Sequence, residues 1–151
     1  MIEKVISGGQ IGADQAGLEA ATICKIPTGG HAPKNYLTKT GPNPILLKKY
    51  GLIESSGGYK IRTGENVKNS DGTIRLATNF NSPGEICTRN AIRYYKKPFF
   101  DVDLNNPKPV EEVVEWIFKN NIKVLNVAGN TNANYNQVVN YLTNVFKEQI
   151  Q

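Results

Sequence analysis

A glycine-rich stretch near the start of the chain has the residue types needed to bind an anion. Residues 5–14 predict a buried strand, then the loop Ser7-Gly8-Gly9-Gln10-Ile11-Gly12, then the start of a helix. Free backbone N–H groups and the positive end of the helix dipole converge at such a junction. Glycines let an anion approach the backbone closely. We therefore expect a phosphorylated or nucleotide-like ligand, and a turn that only connects strand to helix is the alternative.

Two polar side chains in this stretch could contact the ligand. Gln10 can both donate and accept hydrogen bonds, which suits a heterocycle or a phosphate, although simple solvation is the alternative. Asp14 falls in the first helical turn, where a carboxylate either complements the helix dipole or meets the ligand. The spacing matches neither G-x-G-x-x-G nor the Gly-Lys-Ser/Thr phosphate loop.

A second polar block spans residues 59–73. The guanidinium of Arg62 can form bidentate hydrogen bonds with a phosphate, and an ion pair with Glu65 or Asp71 is the alternative interpretation. The turn Ser70-Asp71-Gly72-Thr73 precedes a predicted strand, and a purely structural capping role would also explain it.

Composition places the chain among ordinary globular proteins. Its 151 residues, 39% of them hydrophobic and 21% charged, predict a single domain over residues 1–151. The net charge of +5 comes from scattered lysines and arginines, so an anionic small ligand is a better explanation than nucleic acid. The start lacks the features of a signal peptide and no apolar run is long enough for a membrane helix, so we expect a cytoplasmic protein.

Metal binding receives little support from the sequence. The two cysteines, Cys24 and Cys87, lack the spacing of a zinc site and are expected to be small buried residues. His31 is the only histidine, so no histidine-pair metal site is predicted.

Helices and strands alternate along most of the chain. The hydrophobic pattern predicts strands at 4–6, 73–77, 98–102 and 123–127, and helices at 14–24, 61–69, 83–95, 109–120 and 135–148. Residues 26–58 are rich in proline and glycine and are expected to form a long loop, carrying His31 and Lys34, that covers the ligand. This alternation predicts an α/β, Rossmann-like, doubly wound domain: a mostly parallel sheet with helices on both faces.

Four polar loops should meet at one edge of that sheet, because ligands bind outside the carboxyl ends of parallel strands. They are the Gly8-Gly9-Gln10 loop, residues 79–84, residues 101–103 and Gly129-Asn130. Ser82, Pro83 and Glu85 form a good helix start, with the serine as N-cap. Glu85 could instead act as a general base, although capping is the simpler interpretation.

The two polar blocks together resemble the molybdenum-cofactor carrier proteins. The resemblance is carried by Ser7-Gly8-Gly9-Gln10 with Gly12 and Asp14, by Tyr59, Arg62-Thr63, Asn66-Val67 and Ser70-Asp71-Gly72-Thr73, and by Lys97-Pro98, Asp103 and residues 125–129. This family lies in the SLOG superfamily of Rossmann-like nucleotide-binding domains. Its relatives include the DNA-processing protein DprA and the lysine-decarboxylase-like phosphoribohydrolases.

The resemblance implies a non-catalytic carrier that holds molybdenum cofactor, a pterin with a dithiolene and a terminal phosphate, and that self-associates. No catalytic and no metal-ligating residue is predicted. The predicted binding residues are Ser7, Gly8, Gly9, Gln10, Gly12, Asp14, Lys34, Arg62, Thr63, Asn66, Ser70, Asp71, Gly72, Thr73, Ser82, Gly84, Gly129 and Asn130.

The chain departs from the family pattern at several positions, and other functions remain open. It has Ile11 for the family's Thr, Gln15 for its Arg, and Asn130-Thr131 for its Pro-Arg. Each arginine lost from an anion site removes charge-assisted hydrogen bonds worth about 1.5–3 kcal/mol.

The alternative functions are binding of another nucleotide-type ligand, such as an ADP-ribose-derived signal, and hydrolysis of an N-glycosidic bond. For the latter, the relatives' Pro-Gly-Gly-x-Gly-Thr-x-x-Glu motif is reduced here to residues 82–85.

Overall fold

A six-stranded, fully parallel sheet forms the centre of the protein in a computed structural model that describes residues 1–150. The strands are β1 (Lys4–Ser7), β2 (Thr28–Ala32), β3 (Leu37–Thr38), β4 (Gly41–Pro42), β5 (Leu52–Glu54), β6 (Gly72–Ala77), β7 (Phe99–Asp103) and β8 (Val124–Gly129). The helices are α1 (Ala13–Ile23), α2 (Pro44–Lys49), α3 (Tyr59–Lys68), α4 (Pro83–Tyr95), α5 (Val110–Lys119) and α6 (Tyr135–Ile150). The strands β3 and β4 form a separate antiparallel hairpin.

The order of strands in the sheet is β5-β2-β1-β8-β6-β7. The chain moves outward from β1 to β2 and β5 on one side, and from β6 to β7 on the other. The last strand, β8, fills the place between β1 and β6. The doubly wound fold predicted from the alternation of elements is therefore confirmed. The chain winds outward in two directions from the central strands β1, β8 and β6, and the crevice that this creates lies at their carboxyl ends.

One face of the sheet is apolar and the other is polar. Helix α6 packs against both α1 and α5 over the apolar face, whose core is formed by fully buried side chains such as Val5, Leu76, Leu125, Leu142 and Phe146. Neighbouring strand residues point the opposite way, toward the layer that contains α3 and α4. There Asn126 donates to the Thr73 hydroxyl at 3.2 Å, and Arg75 is buried.

The prediction of a long covering loop over residues 26–58 is wrong. This segment supplies strands β2 and β5 of the main sheet, together with α2 and the β3–β4 hairpin. Strand β2 has the sequence Thr-Gly-Gly-His-Ala, which has neither alternating nor continuous apolar residues. It is a strand because it pairs with β1 on one side and β5 on the other, so its partners supply what its own pattern lacks.

Residues 101–103 also differ from the prediction, because they belong to strand β7 rather than to a loop after it. Among residues 1–150, no helix is both long and apolar enough to cross a membrane.

Candidate functional site

A cavity of about 390 Å³ opens where the carboxyl ends of β1, β8 and β6 meet. Its walls come from the loop after β1, the hairpin β3–β4, helix α3, the start of α4 and the end of β8. The residues that line it are Gln10, Asp14, Lys39, Tyr59, Lys60, Arg62, Thr63, Pro83, Gly84, Glu85, Cys87, Thr88, Ala128, Gly129 and Thr131. Its volume lies within the range of roughly 300–1,000 Å³ typical of small-molecule sites.

The loop after β1 is built for close contact with helix α3. A Cβ atom on Gly8 would overlap the guanidinium of Arg62, so only glycine leaves room for that side chain. Gly12 has a φ of 82°, and a Cβ atom there would overlap the backbone oxygen of Asn130. Both glycines therefore set the shape of the cavity wall.

The loop amides are already hydrogen-bonded within the loop. The Gly9 N–H donates to the Ser7 hydroxyl at 3.1 Å, and the Gln10 N–H donates to the Asp14 carboxylate at 3.2 Å. Of these side chains, Asp14 and Gln10 line the cavity. An anion in the cavity would therefore meet side-chain cations and the start of α4 rather than these two amides.

Asp14 is a buried carboxyl beside a cation. Arg62 Nη1 lies 3.6 Å from Asp14 Oδ2. Burial raises the pKa of Asp14 to about 6, although the positive charge of Arg62 and the hydrogen bond from Gln10 act in the opposite direction. Asp14 therefore takes up a proton more readily than an ordinary carboxyl, although it stays mostly ionised at neutral pH and pairs with Arg62 there.

Arg62 carries a buried donor with no partner among residues 1–150, namely its Nε. Its guanidinium lies 5.6 Å from the centre of the Tyr59 ring. An unpaired buried N–H is costly, so a hydrogen-bond acceptor placed in the cavity would stabilise this side chain. Lys39 and Lys60 line the same cavity and add positive charge.

Glu85 stands at the start of α4 and is 3% exposed. Burial, and then the negative charge of Asp14, raise the pKa of Glu85 to about 7, while Arg75 acts in the opposite direction. Its Oε1 has no hydrogen-bond partner among the described residues, and Asn130 Nδ2 lies 3.5 Å from its Oε2. Two coupled carboxyls with raised pKa values therefore share the cavity.

Asn130 joins the loops that follow β6 and β8. Its side-chain oxygen accepts from the N–H groups of Thr78 and Asn79, at 2.9 and 3.1 Å, and its amide donates to the Asn79 carbonyl at 3.0 Å. Ser82 caps α4 by accepting from the Glu85 N–H. These contacts hold the start of α4 against the end of β8.

The eighteen residues predicted to bind the ligand fall into three groups. Six line the cavity: Gln10, Asp14, Arg62, Thr63, Gly84 and Gly129. Six do not line the cavity but contact or adjoin residues that do: Ser7, Gly8, Gly9, Gly12, Ser82 and Asn130. The structure does not bring the other six to the cavity: Lys34, Asn66, Ser70, Asp71, Gly72 and Thr73.

The residues that lie elsewhere have structural contacts that explain their types. Asp71 precedes β6, at the amino edge of the sheet, and its carboxylate accepts from the N–H groups of Lys123 and Val124 at 3.0 and 2.8 Å. Asn66 accepts from the N–H of His31 and donates to its carbonyl, and so fixes α3 to β2. Ser70 donates to the carbonyl of the preceding helix end, Val67.

Several lining residues were missed by the sequence analysis. Lys39 comes from a hairpin inside the segment predicted to be a loop, and nothing in its neighbourhood marks it. Glu85 was considered as a general base, and its position one turn into a capped helix was the available signal. Lys60, Cys87 and Thr88 lie on α3 or α4 beside predicted positions.

The fold and the cavity define the class of the protein as a Rossmann-like α/β domain with a polar cavity of small-molecule size at the carboxyl edge of its sheet. More particularly, the chain belongs to the circularly permutated YpsA SLOG family, whose model matches residues 5–150. The predicted family and fold class are thus confirmed.

A solved structure is similar over nearly the whole chain. It is the crystal structure of the "Putative molybdenum carrier protein" from Syntrophus aciditrophicus SB, with 32% sequence identity and a TM-score of 0.83. The alignment covers 99% of this chain and 96% of that one. No protein of curated function matches the chain.

Proposed function

We propose that this protein is a non-catalytic carrier that binds a phosphorylated heterocycle, molybdenum cofactor in particular. The ligand would lie in the cavity at the carboxyl edge of the sheet, here named the cargo cavity. The observation that carries the proposal is the buried, unpartnered Nε of Arg62 in a cavity that Lys39 and Lys60 also line. The name of the similar Syntrophus protein points to the same class of cargo.

The lining residues fit the chemical parts of that cargo. The terminal phosphate would be held by Arg62 with the two lysines, at the positive end of α4. The carboxyls of Asp14 and Glu85 can accept hydrogen bonds from the amino and ring N–H groups of a pterin, and Thr63 and Thr88 can donate or accept. Because its pKa is raised to about 7, Glu85 is partly neutral near neutral pH and repels an anion less than a full charge would, while the charge of Asp14 is opposed by Arg62.

Native mass spectrometry of gently purified protein tests this proposal. The protein is measured alone, after mixing with molybdenum cofactor, and after mixing with a panel of nucleotides. An adduct with the mass of the cofactor supports the carrier. A nucleotide adduct without a cofactor adduct would instead favour the alternative ligand class, such as an ADP-ribose derivative.

Hydrolysis of an N-glycosidic bond is a second candidate, favoured by the two coupled carboxyls in one cavity. With a pKa of about 7, Glu85 is poised to exchange a proton near neutral pH. Incubation with nucleoside monophosphates, followed by chromatography for free base, decides this point. Release of base that is lost in Glu85→Gln would establish the enzyme, and its absence leaves the carrier.

Self-association is part of the same proposal. A groove of about 880 Å³ runs between α3 and α4 and contains the apolar side chains Ile61, Ile86 and Tyr94, of which Tyr94 is 78% exposed. Lys60 and Glu65 also line the groove, so this surface carries charges of both signs, which suits a self-complementary contact between two copies. We therefore propose a second copy of this chain as the occupant of the groove.

A further inference from the structure

A second cavity, of about 450 Å³, lies between α4 and the edge strand β7, and it shares no lining residue with the candidate site. Helix α4 separates the two. It contributes Glu85 and Thr88 to the first cavity, and Arg89, Ile92 and Arg93 to the second. The second cavity therefore needs an explanation of its own.

The cations of this cavity outnumber its carboxylates, four to two. Arg75 is fully engaged, since its Nε and Nη2 donate to the Asp101 carboxylate at 2.7 and 2.6 Å and its Nη1 donates to the Glu85 carbonyl. Within residues 1–150, Arg89, Arg93 and Lys108 form no ion pair. Because Arg75 pairs with Asp101, the cations of Arg89, Arg93 and Lys108 face one remaining carboxylate of the lining, that of Asp103.

Arg89 shows the strongest sign of a missing partner. Its Nε is buried and makes no hydrogen bond within the described part of the chain. Arg93 lies one helical turn further along α4, so the two guanidinium groups share one face of the helix. An acceptor such as a phosphate oxygen would satisfy the buried donor and interact with both charges.

Aromatic and acidic groups complete the lining. Phe99 is 51% exposed although it lines the cavity, and Phe80 lies over the Arg75 guanidinium at 5.1 Å. An exposed ring of this kind offers a surface on which a planar base can stack. Asp103 is exposed, and its Oδ1 accepts from the Asn105 N–H, which leaves oxygen lone pairs for a sugar hydroxyl.

We propose that this cavity is a second ligand site, specific for a nucleoside phosphate. Arg89, Arg93 and Lys108 hold the phosphate groups, Phe99 stacks on the base, and Asp103 accepts a hydrogen bond from a ribose hydroxyl. The site is independent of the cargo cavity, so the protein can bind a nucleotide and its cargo together.

Isothermal titration calorimetry with ADP, adenosine and inorganic phosphate tests the proposal. The wild-type protein should bind ADP saturably and more tightly than either part alone. Arg89→Gln should raise the Kd for ADP about tenfold, since it removes charge-assisted hydrogen bonds. Phe99→Ala should weaken ADP binding and leave phosphate binding unchanged. Lys119→Gln, which removes one positive charge from exposed α5, is the matched control and should bind like wild type.

Nuclear magnetic resonance identifies the site directly in the wild-type protein. The chain has four arginines, so their Nε–H signals can be assigned individually. Addition of ADP should shift the Arg89 signal. The proposal is overturned by absence of saturable ADP binding, by equal weakening in Lys119→Gln, or by a shift of the Arg62 signal in place of that of Arg89. The last result would place ADP in the cargo cavity.

Discussion

At the scale of single residues, Arg62 connects most of the observations at the cargo cavity. It reaches over Gly8, where only a glycine leaves space, it pairs with Asp14, and it keeps a buried donor without a partner. The sequence left open whether Arg62 binds a phosphate or pairs with Glu65 or Asp71. Its carboxylate partner is Asp14 instead, and the residue that carries this unpaired donor lines the candidate cavity.

Arg62→Gln should weaken retention of molybdenum cofactor by about tenfold or more, because charge-assisted hydrogen bonds are worth about 1.5–3 kcal/mol. Equilibrium dialysis, with molybdenum determined by elemental analysis, measures the change. Lys119→Gln serves as the control of equal charge. Cofactor binding that stays at the wild-type level in Arg62→Gln would contradict the proposed role of this side chain.

Glu85 makes a second prediction, which concerns stability and pH. Its pKa is raised to about 7 in the folded protein from 4.5, so between these values the folded state binds more protons than the unfolded state. The free energy of unfolding should therefore fall as pH rises from about 4.5 to 7, by up to about 3 kcal/mol. Glu85→Gln should flatten this part of the profile.

Urea unfolding at pH 5 and pH 8 measures that dependence. Asp14 contributes in the same direction, since its pKa is raised from 3.8 to about 6. The control is Glu115→Gln, at an exposed position of α5. If Glu85→Gln lost as much stability between pH 5 and pH 8 as wild type, the proposed cost of ionising the buried Glu85 carboxyl would be refuted.

At the scale of elements, the site depends on how loops after different strands are tied together. Asn130, directly after β8, satisfies two N–H groups and one carbonyl in the loop after β6. Asn66 joins α3 to β2 in a similar way, with one N–H group and one carbonyl of His31. Two asparagines predicted to bind ligand thus have contacts that position α3 and α4, the two helices that line the cavity.

Asn130→Ala should destabilise the protein by about 2 kcal/mol, because it removes three hydrogen bonds to the loop after β6, each worth about 0.5–1.5 kcal/mol. Chemical denaturation measures the loss. Asn144→Ala, at an exposed position of α6, provides the comparison and should change stability by less than about 0.5 kcal/mol. Equal stability of the two variants would show that the loop contacts of Asn130 do not contribute to the free energy of unfolding.

At the scale of the whole molecule, the candidate site lies on the side of the sheet that contains α3 and α4, and the main hydrophobic core lies on the opposite side. The polar side of the sheet, the cargo cavity and the apolar groove all adjoin these two helices. The proposed second copy would cover the groove immediately beside the cargo cavity, since Lys60, Pro83 and Cys87 line both. Assembly would thereby restrict access to the cargo.

Tyr94→Glu should lower the molar mass of the protein in solution, because a charge would be placed in the proposed contact between copies. Light scattering after size-exclusion chromatography, at several protein concentrations, gives the mass. Phe118→Glu, at an exposed position of α5, is the matched control and should leave the mass unchanged. If the wild-type protein is monomeric at every concentration measured, the proposed self-association is wrong.

The periodicity of apolar residues alone predicts those helices and strands whose own sequences show a buried face. Helices α4, α5 and α6 and strands β6 and β8 show their apolar faces in the sequence, and Ser82-Pro83 marks the start of α4. Strands β2 and β5 could not be found in this way, because their conformation depends on neighbouring strands rather than on their own composition.

The amino-acid sequence by itself determined the doubly wound class, the family and the glycine loop, since each rests on short-range patterns that the chain keeps in any surroundings. Only the tertiary structure decided which polar residues meet. Both Arg62 and Asp71 lie in one polar block, yet the first lines the cavity and the second caps strand β8 at the far edge. The reason is that a parallel strand has two ends, and only the order of strands in the sheet determines what gathers at each.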